Sequence, residues 1–191
     1  MAVPAENKRY TYADYLAWDT DERIELIEGV PYALASPSDV HQSILFEFGR
    51  QLGNALEGKP CRVYPAPFDV RLFEGTDVPP EEVDTVIQPD LMVVCDRTKV
   101  DRKGVHGAPD FVLEVLSPST ARHDRIVKLN LYQQAGVREY WVLSPEERTA
   151  QVFLSEGGYL RPHELYTSQD TEAELTILEG CVIDLSKVFF R

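Results

Sequence analysis

The sequence predicts a mixed α/β fold: a mixed β-sheet flanked by helices, with a hairpin added near each end. Three observations carry this. Apolar, β-branched segments come as a group of three, at about residues 61–73, 86–95 and 110–117. Two longer stretches, from Asp39 to about Leu56 and from 119 to 135, have helical periodicity. A short strand, Tyr140 to Leu143, follows the second of them. Strands grouped before a crossover helix imply a sheet of mixed direction with helices on its faces.

Each element has its own signal. Residues 1–22 read as a helical lead-in anchored by Tyr10, Tyr12, Tyr15, Leu16 and Trp18. Arg23 to Leu34 reads as a hairpin, because apolar strand residues surround the turn signal Glu28-Gly29. Ser36-Pro37-Ser38-Asp39 is a loop and helix start, with Asp39 as N-cap and Gln42 three residues on. Gly58 stops that helix and Gly136 closes the second one. Glu74 to Asp84 is an acidic, proline-bearing loop. Gln151 to Leu160 suggests the later hairpin, with Gly157-Gly158 at its tip. Ile183 and Val188 to Phe190 make the tail apolar enough to dock. No internal repeat appears, and 191 residues suit a single domain, 1–191.

Composition bounds the function. At 43% hydrophobic and 10% aromatic, the chain can build a core. Runs such as Leu91 to Cys95 and Phe111 to Leu113 are far too short to span a membrane. Met1 to Arg9 lacks the apolar stretch of a signal peptide. Cys61, Cys95 and Cys181 are odd in number and lack CxxC spacing, which argues against a disulfide framework and a zinc cluster. The expectation is three ordinary thiols in a reducing cytoplasm. The net charge of −13 weighs against a large non-specific nucleic-acid surface, which needs clustered Lys and Arg. It does not exclude a nuclease, since a metal site is itself acidic.

Two acids stand where apolar residues belong. Glu114 lies inside Phe111-Val112-Leu113-Glu114-Val115-Leu116, a pattern apolar on both faces and therefore buried. Asp90 heads Leu91-Met92-Val93-Val94. An unpartnered buried carboxylate costs several kcal/mol. Either acid alone reads most simply as one satisfied by Arg or by backbone N–H groups; two on successive strands favour a shared metal. On the second helix, with Ile126 at 0°, the inward arc runs from Val127 at about 100° to Tyr132 at about 240°, with Leu131 and Ala135 between. Asp124 at about 160° and Lys128 at about 200° fall in its middle, while Arg122 and Asn130 take the polar side. The plainer alternative is an i,i+4 pair on a solvated face. On the first helix His41 shares one stripe with Ile44, Leu45, Phe48, Leu52, Ala55 and Leu56, within about 60°. There it is either a satisfied core residue or a metal ligand, proton carrier or phosphate contact.

These residues carry a resemblance. Gln88-Pro89-Asp90 before an apolar strand, then Glu114-Val115-Leu116 on the next, resembles the PD-(D/E)XK nuclease signature. The chain is more closely similar to the bacterial Uma-two family of putative restriction-type endonucleases, a family built on a domain of unknown function. The similarity lies in Glu25-Leu26-Ile27-Glu28-Gly29, His41-Gln42, Phe68-Asp69-Val70, Gln88-Pro89-Asp90 and Glu114-Val115-Leu116-Ser117-Pro118-Ser119-Thr120. The run from Asp124 through Lys128 and Tyr132 to Gly136-Val137-Arg138-Glu139-Tyr140-Trp141 completes it. The superfamily pattern has a lysine two residues after the glutamate, where this chain has Leu116; Lys128, already inward on its wheel, is the candidate substitute.

The resemblance implies a restriction-endonuclease-like core and Mg²⁺- or Mn²⁺-dependent hydrolysis of DNA phosphodiesters. Asp90 and Glu114 would be the metal ligands, and Lys128 would orient water or stabilise developing charge. His41 would be an acid-base helper, Glu25 an outer ligand, and Asp124 would orient Lys128. The Lys128 amine is then expected beside the Glu114 carboxylate. A homodimer is expected, since related folds often pair and Ile126 and Leu129 lie off the inward stripe. Two other functions stay open: an inactive nuclease-fold binding or assembly module, favoured by the acidic surface and Leu116, and a metal-dependent hydrolase of another phosphate ester.

Overall fold

Glu28 and Gly29 both take positive φ, 49° and 75°, so the first turn signal folds as a tight hairpin. It joins β1 (Ile24–Ile27) to β2 (Val30–Ala33). The computed structural model describes residues 8–75, 78–117 and 123–189, with only the main chain of residues 123 and 124. Among the described residues of the lead-in, helix is confined to α1 (Tyr12–Leu16), where Thr11 and Asp14 form a capping box; residues 1–7 lie outside the described residues. The long helix α2 (Asp39–Ala55) starts one residue earlier than expected. Ser38, not Asp39, is its N-cap and accepts the His41 N–H, and Asp39 takes the first helical position, where negative charge suits the dipole.

The expected strands 61–73 and 86–95 each divide in two. The pieces are β3 (Arg62–Pro65) and β4 (Val70–Arg71), then β5 (Val86–Ile87) and β6 (Leu91–Val94). Both breaks fall at prolines, Pro65 and Pro67 in one and Pro89 in the other; a ring nitrogen cannot donate to a ladder. At both places the chain changes sheet. The mixed architecture is as expected, but its strands form two six-stranded sheets. With β7 (Val100–Asp101) and β8 (Gly104–His106), the first has order β2-β1-β5-β4-β8-β7. With β9 (Phe111–Val115), β10 (Glu139–Ser144), β11 (Thr149–Glu156) and β12 (Tyr159–Tyr166), the second has order β12-β11-β10-β9-β6-β3. Among the described strands, only the β9/β10 and β4/β8 pairs are parallel.

Strand alternation gives the second sheet two apolar faces. Leu91, Val93, Phe111, Leu113, Trp141 and Leu143 face α2, whose Ile44, Phe48 and Leu52 cover them. A small hairpin, β13 (Glu172–Glu174) and β14 (Val182–Asp184), adds Ile183 to that core. Val188 and Phe189 from the docked tail join it, while Phe190 lies outside the described residues. Gly49 permits the close approach of α2, because a Cβ there would sit 2.8 Å from Leu91 Cδ1. The opposite face, with Met92, Val94, Val112, Tyr140 and Val142, packs on the first sheet through Val70, Ile87 and Val105.

The described part of the second helix is not uniform. Residues His123–Lys128 form a π-helical turn, and the α-helix α3 covers Leu129–Ala135 before Gly136 ends it at φ 90°. The cysteine expectation is corrected: Cys61 and Cys95 form a disulfide and only Cys181 is a free thiol among the described residues. The two flank the Arg62–Val94 pair at the end of the β3/β6 ladder, so they face each other across it. No helix of the described residues is long and apolar enough to cross a membrane.

Candidate functional site

Antiparallel register brings the two acids together. Leu91 pairs with Leu113, so Asp90 and Glu114 are the next pair along the β6/β9 ladder and share a face. The Val115 N–H donates to Asp90 Oδ2 at 2.8 Å, and the Asp90 N–H reaches Glu114 Oε2 at 3.4 Å. His41, in the first turn of α2, adds Nε2 at 3.0 Å from Asp90 Oδ2. Its wheel position on the apolar stripe carries it to the strand end, where the stripe runs out. The π-helical turn delivers Lys128, 4% exposed, with Nζ 2.9 Å from Glu114 Oε1 and 3.0 Å from Glu25 Oε1. Glu25 is fully buried on β1 and also accepts the Gln88 N–H at 2.9 Å.

All five residues singled out from the sequence thus meet at one place, where the two sheets join. Asp124 cannot be placed with them, because its side chain lies outside the described residues. Other members were not foreseen. Tyr132, read as plain core, donates its hydroxyl to Glu114 Oε1 at 2.5 Å. Gln88 and Arg23 line the same cavity. A tyrosine on an apolar stripe gives no hint of what its hydroxyl meets, and in the sequence Gln88 stands out only as a neighbour of Asp90.

Asp90, Glu114 and Glu25 are grouped with Lys128 and His41 in a largely buried cluster, and Arg23 lines the same cavity. Burial pushes the Asp90 carboxyl upward, but the His41 hydrogen bond and charge, Lys128 and the Val115 N–H outweigh it and hold Asp90 below the usual carboxylate range. Burial, then the Glu114 charge, raises Tyr132 well above an ordinary phenol, so it remains a donor. Glu25 Oε2 and His41 Nδ1 are buried with no hydrogen-bond partner among the described residues.

Beside the cluster opens a cavity of about 660 Å³, lined by Asp90, Glu114, Lys128 and His41 and walled by Leu116, Ser117 and Pro145. Hard carboxylate oxygens suit Mg²⁺ or Mn²⁺ rather than a soft metal. Among the described residues no group of three or more His, Cys, Asp or Glu is arranged to hold a metal ion. Asp90 and Glu114 are two carboxylates at the cavity, and Mg²⁺ is usually held by one or two carboxylates with water and substrate completing its shell.

Comparison with known proteins gives a family and a shared fold. The profile of the Uma2 family, described as "Putative restriction endonuclease", matches residues 12–186. The uncharacterized protein slr1290 of Synechocystis sp. (strain ATCC 27184 / PCC 6803 / Kazusa) is 30% identical over 134 residues. That match covers 68% of this chain and 65% of the relative, slightly under two thirds of its length. The crystal structure of a putative nuclease belonging to DUF820 from Anabaena variabilis ATCC 29413 superposes with a TM-score of 0.73. It is 19% identical, with 94% of this chain and 97% of the other covered, and shows the shared fold.

Proposed function

We propose that this chain, which belongs to the Uma2 family of putative restriction endonucleases, is a metal-dependent endonuclease that hydrolyses DNA phosphodiester bonds. One observation carries the reading: register-paired Asp90 and Glu114 face a cavity, with the Lys128 amine 2.9 Å from Glu114. A bound Mg²⁺ or Mn²⁺ would supply Lewis acidity toward the phosphate and ease ionisation of water. Asp90 and Glu114 would hold that ion. His41 and the Val115 N–H fix one oxygen of Asp90 and so set the orientation of the other. Lys128 would orient the attacking water or stabilise charge developing on the phosphate. Glu25 and Tyr132 position the lysine and Glu114 by hydrogen bonds. Of the two residues behind the expected homodimer, Ile126 is exposed, but Leu129 packs against the core.

The experiment is calorimetry with Mn²⁺ on wild type and Asp90→Ala, beside a Mg²⁺-dependent plasmid-nicking assay. Binding and nicking by wild type, both lost in the variant, are the expected results; equal Mn²⁺ binding by Asp90→Ala would sink the shared site. The competing reading is an inactive nuclease-fold module, favoured by the −13 charge and by a lysine already engaged with two carboxylates. Metal binding without nicking of any DNA form would select it.

A further inference from the structure

Arg23, just ahead of β1, lines the site cavity together with Asp90 and Glu114 and is partly buried. Its Nε donates to Gln88 Oε1 at 3.0 Å. Among the described residues no carboxylate comes within ion-pair distance of it, and its two Nη groups meet no acceptor. That is notable in a chain with 32 acidic and 19 basic residues, where carboxylate partners abound.

The guanidinium is also aimed. Gln88 is 7% exposed, and its Nε2 donates to Asp69 Oδ1 at 3.0 Å and to the Tyr15 hydroxyl at 3.2 Å. Only the amide nitrogen can donate to a carboxylate, so the amide oxygen must face Arg23; charges at both ends fix the orientation of the glutamine. Asp69 is held in turn by the Tyr15 hydroxyl at 3.0 Å and the Tyr12 hydroxyl at 3.4 Å. The chain Tyr15–Asp69–Gln88–Arg23 therefore holds Nε and leaves the Nη fork without an acceptor among the described residues. The cavity is also lined by Ser38, Val40 and His41 from the first turn of α2, the positive end of its dipole.

We propose that Arg23 is a substrate-binding residue whose guanidinium fork takes the oxygens of a backbone phosphate in the strand lying in the cavity. This rests on the endonuclease reading above and extends it. Guanidinium geometry matches two phosphate oxygens, whereas an ammonium offers one compact charge. A pre-aimed fork loses less conformational freedom on binding than a mobile surface arginine.

The test is binding of a fluorescent duplex oligonucleotide in Ca²⁺, with intact DNA verified on a gel, followed by anisotropy across a salt series. Arg23→Ala is expected to weaken binding roughly ten- to a hundredfold, the range for a charge-assisted hydrogen bond. The slope of log K against log salt should become shallower by about 0.9, one phosphate contact. Arg23→Lys should restore the slope but only part of the affinity. Should Arg23→Ala melt early, Arg23→Gln carries the same comparison. Wild-type affinity and slope in Arg23→Ala, with wild type nicking plasmid and Asp90→Ala dead, would overturn the Arg23 assignment and leave the endonuclease reading standing. Neither binding nor nicking of any DNA form by wild type would overturn both.

Discussion

Lys128 is the residue on which most of the site's balance depends. It is the cation between two buried carboxylates, Glu25 and Glu114, and removing one partner of such a cluster costs about 3–5 kcal/mol because charge is left uncompensated. Lys128→Ala should therefore melt early without metal. Mn²⁺ should raise its melting temperature more than it raises that of wild type, because the ion supplies the missing positive charge. Nicking should still fall by orders of magnitude, since a divalent ion cannot do the lysine's separate work on water or phosphate. Melts with and without Mn²⁺, beside nicking assays, check both parts. Equal nicking would remove Lys128 from the chemistry, and equal Mn²⁺ shifts would separate the metal from the triad. That Asp90, Glu114 and Lys128 are special is legible in the sequence, because a charge on a doubly apolar strand or stripe violates burial rules. Tyr132 violates none, so its bond to Glu114 is not legible.

At the scale of elements, β10 carries another buried acid with a different role. Glu139 is fully buried and accepts N–H bonds from the Trp141 indole at 2.6 Å, Ile177 at 2.8 Å and Thr176 at 3.2 Å, tying the C-terminal segment to the central sheet. Burial raises its carboxyl above the ordinary value of 4.5, and the three N–H groups pull it only part of the way back. The folded state thus binds this proton more tightly than the unfolded chain. Its stabilising effect is full below about 4.5 and is lost as pH rises through the raised folded value, after which stability levels. Glu139→Gln should lack this decline. Urea midpoints from pH 4 to 7 would show it, and parallel curves for the two proteins would exclude Glu139 as the titrating group. The first long helix, the described end of the second and the first hairpin are legible from stripe and turn residues; residues 119–122 of the second lie outside the described residues. The π-helical turn is not, because a wheel assumes one angular step throughout and places Lys128 inward either way.

For the whole molecule, the missing information is which strands lie together. Three prolines move the chain from one sheet to the other at neighbouring points, and a pattern of alternation cannot say that the next piece belongs elsewhere. The Cys61–Cys95 bond is hidden for the same reason: 34 residues apart, the two meet only through the β3/β6 register. Chain-entropy reasoning gives closing such a loop about 3–4 kcal/mol of stability. Thiol titration of unfolded, unreduced protein should find one free cysteine rather than three, and reductant should lower the denaturation midpoint. An unchanged midpoint, with three titratable thiols, would mean the sulfurs are not joined. The seam between the sheets has a last consequence, for reading genomes. Glu25 comes from one sheet, Glu114 from the other, and Lys128 joins them, so these three charges are structural as well as chemical. A lineage that no longer needed the reaction would lose Asp90, held at the cavity by His41 and one N–H, far more readily than it could change all three together. Retained lysine would then record ancestry, and retained aspartate would record use.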